Sequence, residues 1–185
     1  MSVSNKIVLL DRDGIINYDS LQYIKSPDEF IPITENIVAV ARLTAAGYRI
    51  GIATNQSGIA RGLYTENDLV KIHTKMLATI ERAGGKISAV EYCPHLPESG
   101  CECRKPMPGM LYALAKKLGC ADLKNIPFVG DRISDIQAAR AVGAQPIMIL
   151  SSMTDKVALL NYVDVPVFNS LTEWVDSIMA KACHV

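Results

Sequence analysis

The chain carries no excess of either charge. Nineteen Lys and Arg balance nineteen Asp and Glu, so no net field is available to hold a nucleic acid backbone or an anionic membrane surface. No apolar run approaches the ~18 residues needed to span a bilayer. The first apolar run, at residues 7–10, is too short for a secretory signal. The expectation is a cytoplasmic protein with no nucleic acid and no membrane partner. Repeats, low-complexity tracts and Pro/Ser-rich linkers are absent too. That leaves one domain over residues 1–185, a size that buries a full core without cross-links. An even cysteine set is also missing. There are five cysteines, three of them crowded between positions 93 and 103. This points away from a disulfide framework and toward a metal site in a reducing compartment.

What is present is an alternation. Apolar residues make up 49% of the chain and charged residues 21%, which argues against disorder. Short apolar runs at 6–10, 49–53, 87–92, 126–129 and 146–150 read as buried strands, most of them apolar on both faces. Helical stripes lie between them. Ile37, Val40, Ala41 and Thr44 form one, ended by Gly47. Leu69, Ile72, Met76, Leu77 and Ile80 form another, with Thr65 as N-cap and Gly84-Gly85 as stop. Leu111, Leu114, Ala115 and Leu118 form a third between Pro108 and Gly119. Ser134 is read as the cap of a short helix ending at Gly143, and a last helix over about 171–182 docks Trp174 and Ile178. Strands alternating with helices predict an α/β fold: a doubly wound, Rossmann-like, mostly parallel sheet with helices on both faces. Ligands in such sheets sit at the carboxyl ends of the strands.

Those ends are polar. The first strand runs into Asp11-Arg12-Asp13-Gly14. Two carboxylates one residue apart repel, and need a shared proton or a cation. Mg²⁺, a hard ion that takes oxygen ligands, answers that need. A solvated turn is the plain alternative for this motif alone. The second strand ends in Thr54-Asn55-Gln56-Ser57-Gly58, small donors that suit an oxyanion. The fourth ends in Gly130-Asp131, with Asp135 four residues on, where it could equally serve a helix N-terminus. Arg104-Lys105 lies just before another helix. Acids for a metal, hydroxyl and amide donors, and a lysine make a phosphoryl-transfer set.

Cys93, His95, Cys101 and Cys103 offer four soft or borderline ligands in eleven residues. Cys₃His is a structural zinc set with no open position. The polar stretch between them is ill suited to burying cysteines as core. Such a clamp would hold the loop so that Arg104 and Lys105 point into the site. Cys120 and Cys183 read as structural or incidental.

The segments DRDGIIN, TNQSGIARG (54–62), CPH (93–95), CECRKPMPGM (101–110) and GDRISDIQAA (130–139) together resemble the haloacid dehalogenase-like phosphohydrolases. In detail they are similar to the capless branch of that family, which includes phosphatases of heptose bisphosphate and of histidinol phosphate. The resemblance covers residues 7–143. It implies that Asp11 is the nucleophile, forming an aspartyl-phosphate. Asp13 would be the acid and then the base. Thr54 and Asn55 would bind the phosphoryl oxygens, and Lys105 would neutralise the transferring group. It further implies that Asp11, Asp131 and the carbonyl of Asp13 hold Mg²⁺, that Asp135 supports them from behind, and that the cysteine loop binds zinc.

No stretch is long enough for a cap domain, so loops must roof the site. Candidates are residues 17–31 and the cysteine loop. Asp19 is placed to accept sugar hydroxyls, Arg104 to take a distal phosphate in a bidentate fork, and Gln56 and Arg132 to line the mouth. The resemblance favours a small-molecule sugar phosphate, a heptose bisphosphate ahead of histidinol phosphate, hydrolysed by a monomer. A zinc-stabilised binding module without turnover is the alternative from another class. It would be marked by a lost nucleophile, yet Asp11, Asp13, Lys105 and Asp131 are all present.

Overall fold

The computed structural model describes residues 6–182. Six strands form one sheet: β1 (Ile7–Leu10), β2 (Arg49–Asn55), β3 (Ala89–Cys93), β4 (Pro127–Gly130), β5 (Gln145–Ile149) and β6 (Val167–Phe168). Their order is β3-β2-β1-β4-β5-β6 and every pairing is parallel. This is the Rossmann-like, doubly wound arrangement. Six helices accompany them: α1 (Thr34–Ala45), α2 (Glu66–Arg82), α3 (Gly109–Lys117), α4 (Ile133–Ala141), α5 (Lys156–Leu159) and α6 (Leu171–Ala182).

β1 is buried on both faces, and its alternation sorts the core into two layers. Val8 and Leu10 join Ile37, Val40 and Leu43 of α1, Ile72, Met76 and Ile80 of α2, and Leu171, Trp174 and Val175 of α6. Ile7 and Leu9 join Leu111 and Leu114 of α3 and Ala138 and Ala139 of α4 on the other side. Gly51 of β2 lets the second layer close. A Cβ there would lie 3.1 Å from both Leu114 and Leu9.

Between β1 and β2 lie only a loop, a 3₁₀ turn at Pro27–Glu29 and α1; between β2 and β3 the only helix is α2. No cap domain is inserted at either point. Among the described residues, no helix is long and apolar enough to cross a membrane.

Several expectations shift in detail. The buried face of α1 runs through Asn36, Ile37, Ala39, Val40 and Leu43. Thr44 instead bonds outward, its hydroxyl donating to Val40 O and accepting from Lys86 N. The N-cap of α4 is Arg132 rather than Ser134, because the Asp135 carboxylate accepts the Arg132 N–H at 3.0 Å. Thr65 does cap α2, in a reciprocal box with Asp68. β6 and α5 are too short to leave a periodic signal. Cys183 lies outside the described residues, while Cys120 is buried with its thiol on Asp122 O.

Leu114→Ala should cost about 2–5 kcal/mol, since it empties a fully buried position between α3 and β2. Urea denaturation checks this through a lowered midpoint at unchanged slope.

Candidate active site

The sheet reverses its winding between β1 and β4, and this is where the polar residues converge. Asp11 N donates to Val129 O at 2.8 Å, pinning the end of β1 beside that of β4. Carboxylate oxygens of Asp11, Asp131 and Asp135 lie within 4.8 Å of one another. All three residues are 5% exposed or less. Gly14 adopts φ +80° in the turn that follows, and a Cβ there would lie 2.2 Å from Asp131 Oδ2. The close approach of this turn to Asp131 therefore requires glycine.

Lys105 brings the compensating charge. Its Nζ lies 2.8 Å from Asp11 Oδ2, 2.8 Å from Asp135 Oδ1 and 2.9 Å from Ala53 O. Three oxygens thus surround the ammonium within 2.9 Å. Burial works against this charge, but Asp11 and Asp135 outweigh it and hold the lysine protonated. The backbone of Lys105 is itself gripped. Asn55 Oδ1 accepts its N–H at 3.0 Å and Asn55 Nδ2 donates to its carbonyl at 3.1 Å.

One ammonium does not balance three buried carboxylates. Burial first, then the neighbouring acids, drive Asp11 well above the ordinary carboxylate range against the pull of Lys105. Burial, with Asp135 beside it, pushes Asp131 up to about 7. Asp135 Oδ1 is ion-paired with Lys105 at 2.8 Å, and Oδ2 accepts the Arg132 N–H. Asp131 Oδ1 and Asp135 Oδ1 are both buried with no hydrogen-bond partner, but only Asp131 Oδ1 has no cation nearer than 3.9 Å. An unsatisfied oxygen in an all-oxygen acidic cluster fits a hard divalent cation such as Mg²⁺.

The resemblance assigns Asp13 a metal contact through its main-chain carbonyl, which leaves its side chain free for another role. Its carboxylate points into a separate network. Arg12, fully buried, contacts Oδ1 at 2.8 Å. Asn17 donates to Oδ1 and Gln56 to Oδ2, each at 2.9 Å. Burial would raise Asp13, yet the Arg12 charge and these donors together hold it below the usual range. Gln56 is fully committed: Nε2 also donates to Thr54 Oγ1 at 2.8 Å, and Oε1 accepts from the Tyr64 hydroxyl at 2.5 Å. Gly58 makes room for that tyrosine, because a Cβ would lie 2.2 Å from its ring.

The cavity over these groups measures about 480 Å³, and its wall includes Asp11, Asp13, Asn55, Gln56, Lys105 and Asp131. Asp19 and Arg132 stand at its mouth, paired at 2.7 Å. Arg104 also lines it, with Nη1 donating to His95 O at 3.2 Å.

The second cluster stands beside the first. Cys93, His95, Cys101 and Cys103 place their ligand atoms within 4.8 Å of one another. Separations run from 2.7 Å (Cys93 to Cys103) to 3.6 Å (Cys101 to either). A tetrahedron with sulfurs ~2.3 Å from its centre has edges of ~3.7 Å, so the set fits zinc with modest spreading of one pair. Cys93, at the end of β3, is fully buried, although the loop beyond it is polar. Gln56 N donates to Cys93 O, Ala60 N to Pro94 O, and Gly109 N to Glu102 O. These bonds tie the loop to both sides of the site.

The protein is similar in sequence and in fold to characterised phosphatases. The family model HAD-hydrolase-like matches residues 102–174. The D-glycero-beta-D-manno-heptose-1,7-bisphosphate 7-phosphatase of Pseudomonas aeruginosa is 49% identical over 147 residues, 80% of this chain and 82% of that protein. The phosphatase of the same name from Neisseria meningitidis is 39% identical over 95% of this chain and 96% of its own. The chain belongs to the haloacid dehalogenase-like phosphatases. A solved heptose bisphosphate phosphatase of this family, from B. bronchiseptica, was crystallised with magnesium and phosphate. It superposes with a TM-score of 0.87 at 38% identity, over 95% of this chain and 99% of that one. As a haloacid dehalogenase-like phosphatase, the protein is a Mg²⁺-using phosphoric monoester hydrolase.

Several residues of this phosphatase site left little trace in the sequence. Tyr64, just before a helix cap, had none. His73 has its Nε2 3.3 Å from Arg12 Nη1. Arginine only donates, so the imidazole accepts there and is neutral. Burial, and then Arg12, push it down to about 4. Its place between Leu69 and Met76 on the apolar stripe of α2 is the signal that marks it. Ser151 and Thr154, beyond β5, contact Asp131. Searching the fifth strand end would have found them.

A cation held at Asp131 would compete with a proton there. In the metal-free protein its folded pKa, about 7, lies above the ordinary 3.8. The resulting stabilisation is complete at low pH and is lost as pH rises through 7. The rise in Tm on adding Mg²⁺ should therefore grow from pH 6 to pH 8, and scanning calorimetry with and without the ion reads it.

Cys101→Ser should lower zinc content and loosen residues 93–105 while the sheet stays folded. Elemental analysis with circular dichroism checks this, and unchanged zinc content refutes the clamp.

Proposed function

We propose that the protein hydrolyses the 7-phosphate of D-glycero-D-manno-heptose 1,7-bisphosphate, working in the cytoplasm as a monomeric single domain. The observation that carries the chemistry is the Lys105 ammonium shared between Asp11 and Asp135, beside an Asp131 oxygen with no hydrogen-bond partner. The substrate rests on relatives named for that activity that match over most of both chains.

Asp11 is the nucleophile. A carboxylate oxygen attacks phosphorus, the bond to the sugar oxygen breaks, and Asp13 supplies the proton to the leaving alkoxide. Asp13 then takes a proton from water, whose oxygen displaces Asp11 and releases inorganic phosphate. Arg12, Asn17 and Gln56 favour the anionic, second-step form of Asp13. A dianionic ester brought beside it raises its proton affinity, as the first step requires. Mg²⁺, held by Asp11 and Asp131 with the Asp13 carbonyl, neutralises phosphoryl charge when bound. Asp135 positions Lys105 and the start of α4 rather than the metal. Asn55 lines the cavity at the phosphoryl position, and the buried Thr54 supports it by accepting the Gln56 amide. Because the Asn55 amide is bonded to Lys105 on both sides, its main contribution is to set the lysine.

At the mouth, Asp19 accepts sugar hydroxyls and Arg132 orients it, with Gln56 completing the wall. Arg104 takes the second phosphate, since a planar fork matches phosphate oxygens where a lysine offers a point charge. A cavity of about 480 Å³ accommodates a sugar bisphosphate.

The test is phosphate release with Mg²⁺ from heptose bisphosphate and histidinol phosphate side by side. The bisphosphate should show the higher kcat/KM. Asp11→Asn should abolish turnover, and Arg104→Lys should cost about tenfold in kcat/KM for the bisphosphate alone, about 1.4 kcal/mol. No release from any ester, or turnover by Asp11→Asn, refutes the mechanism; preference for histidinol phosphate refutes the substrate.

A further inference from the structure

The two oxygens of Asp131 have different surroundings. Oδ2 accepts from the Ser151 hydroxyl at 2.6 Å. Oδ1 has no hydrogen-bond partner, and Arg132 Nε stands off at 3.9 Å. The main-chain carbonyl of Asp131 is held as well, by Thr154 Oγ1 at 2.8 Å.

Ser151 and Thr154 belong to the loop that leaves β5, the strand paired with β4. They brace each other before they brace the acid. Ser151 N donates to Thr154 Oγ1 at 3.0 Å, and Ser151 Oγ accepts from Met153 N at 3.0 Å. With a lone pair of that hydroxyl occupied, its proton is directed at Asp131. Gly14 packs close to the same oxygen, and even a methyl group there would lie 2.2 Å from Oδ2. Asp131 Oδ2 is thus tied by Ser151 and hemmed in by Gly14, while Oδ1 is left open.

We propose that Ser151, braced by Thr154, is a positioning residue that locks the Asp131 carboxylate so that Oδ1 alone is offered to Mg²⁺. The loop after β5 then sets metal affinity without touching the metal. This rests on the reading of Asp131 as a Mg²⁺ ligand. A short O–H···O⁻ bond is among the stronger hydrogen bonds. A carboxylate freed from it would rotate, and presentation of its open oxygen would have to be achieved on binding.

Partners behind a metal ligand are typically worth 10–100-fold in affinity. The experiment titrates Mn²⁺ into the full-length protein and reads free ion by electron paramagnetic resonance, with Mg²⁺ competition to give both constants. Ser151→Ala should weaken both ions by ~10–100-fold, and Ser151→Thr, which keeps the hydroxyl, should stay close to wild type. At saturating Mg²⁺ the Ala variant should recover kcat with an unchanged substrate KM. A folded Ser151→Ala with wild-type affinity overturns the proposal. Should that variant not fold, Thr154→Val decides: weakened Mn²⁺ binding supports the brace, and unchanged binding overturns it. A wild-type protein that binds neither ion overturns the underlying reading of Asp131 instead.

Discussion

The structure turns on one buried ammonium. Lys105 is 3% exposed, and its ammonium lies within 2.9 Å of oxygens at the ends of β1 and β2 and in α4. Burying such a charge is costly unless it is paired and fully bonded. Here the pairing crosses from the loop before α3 to the switch point of the sheet. The lysine therefore joins the two halves of the site as well as balancing it. Three buried carboxylates around one ammonium leave the cluster short of positive charge, and a divalent cation meets that shortfall.

Around this centre the two aspartates of the first motif are kept apart. Asp11 faces Lys105 and the metal acids. Asp13, two residues on, is turned into a separate network of Arg12, Asn17 and Gln56. Asp11 is buried and Asp13 half-buried, yet their proton affinities move in opposite directions, upward for Asp11 and downward for Asp13. In the proposed reaction, separating the environments of these two acids lets one attack while the other moves protons. The cysteine loop serves this arrangement mechanically. It leaves β3 beside Gln56 and returns through Arg104 to Lys105, so the same short stretch contacts the Asp13 network and carries the lysine.

Much of the fold was legible because its signal is local. The first five strands are short, apolar runs, and α2 and α3 carry clear stripes with a cap or flanking prolines and glycines. β6 and α5, with two and four residues, have no period to detect, and only pairing with β5 makes Val167–Phe168 a strand. The cap of α4 was misplaced for a related reason. Ser134 is a good capping residue by type, but the Asp135 carboxylate reaches back to Arg132 and moves the boundary two residues earlier. In the site, the strand-end rule drew attention to Asp11, Thr54, Asn55 and Asp131. It could not say that the Asn55 amide would be spent on the Lys105 backbone, because that contact spans fifty residues.

The sequence alone determined the alternation of strands and helices, the polar strand ends and the ligand types of the Cys₃His cluster, which could hold a metal. Each of these is written in residue identity and spacing over a dozen positions or fewer. Tertiary structure decided which oxygen of each carboxylate is free, which amide is already committed, and that His73, Tyr64 and Ser151 belong to the site at all. Those outcomes depend on hydrogen-bond partners brought together from distant segments. Whether a buried donor or acceptor is available depends on what the fold has already placed beside it.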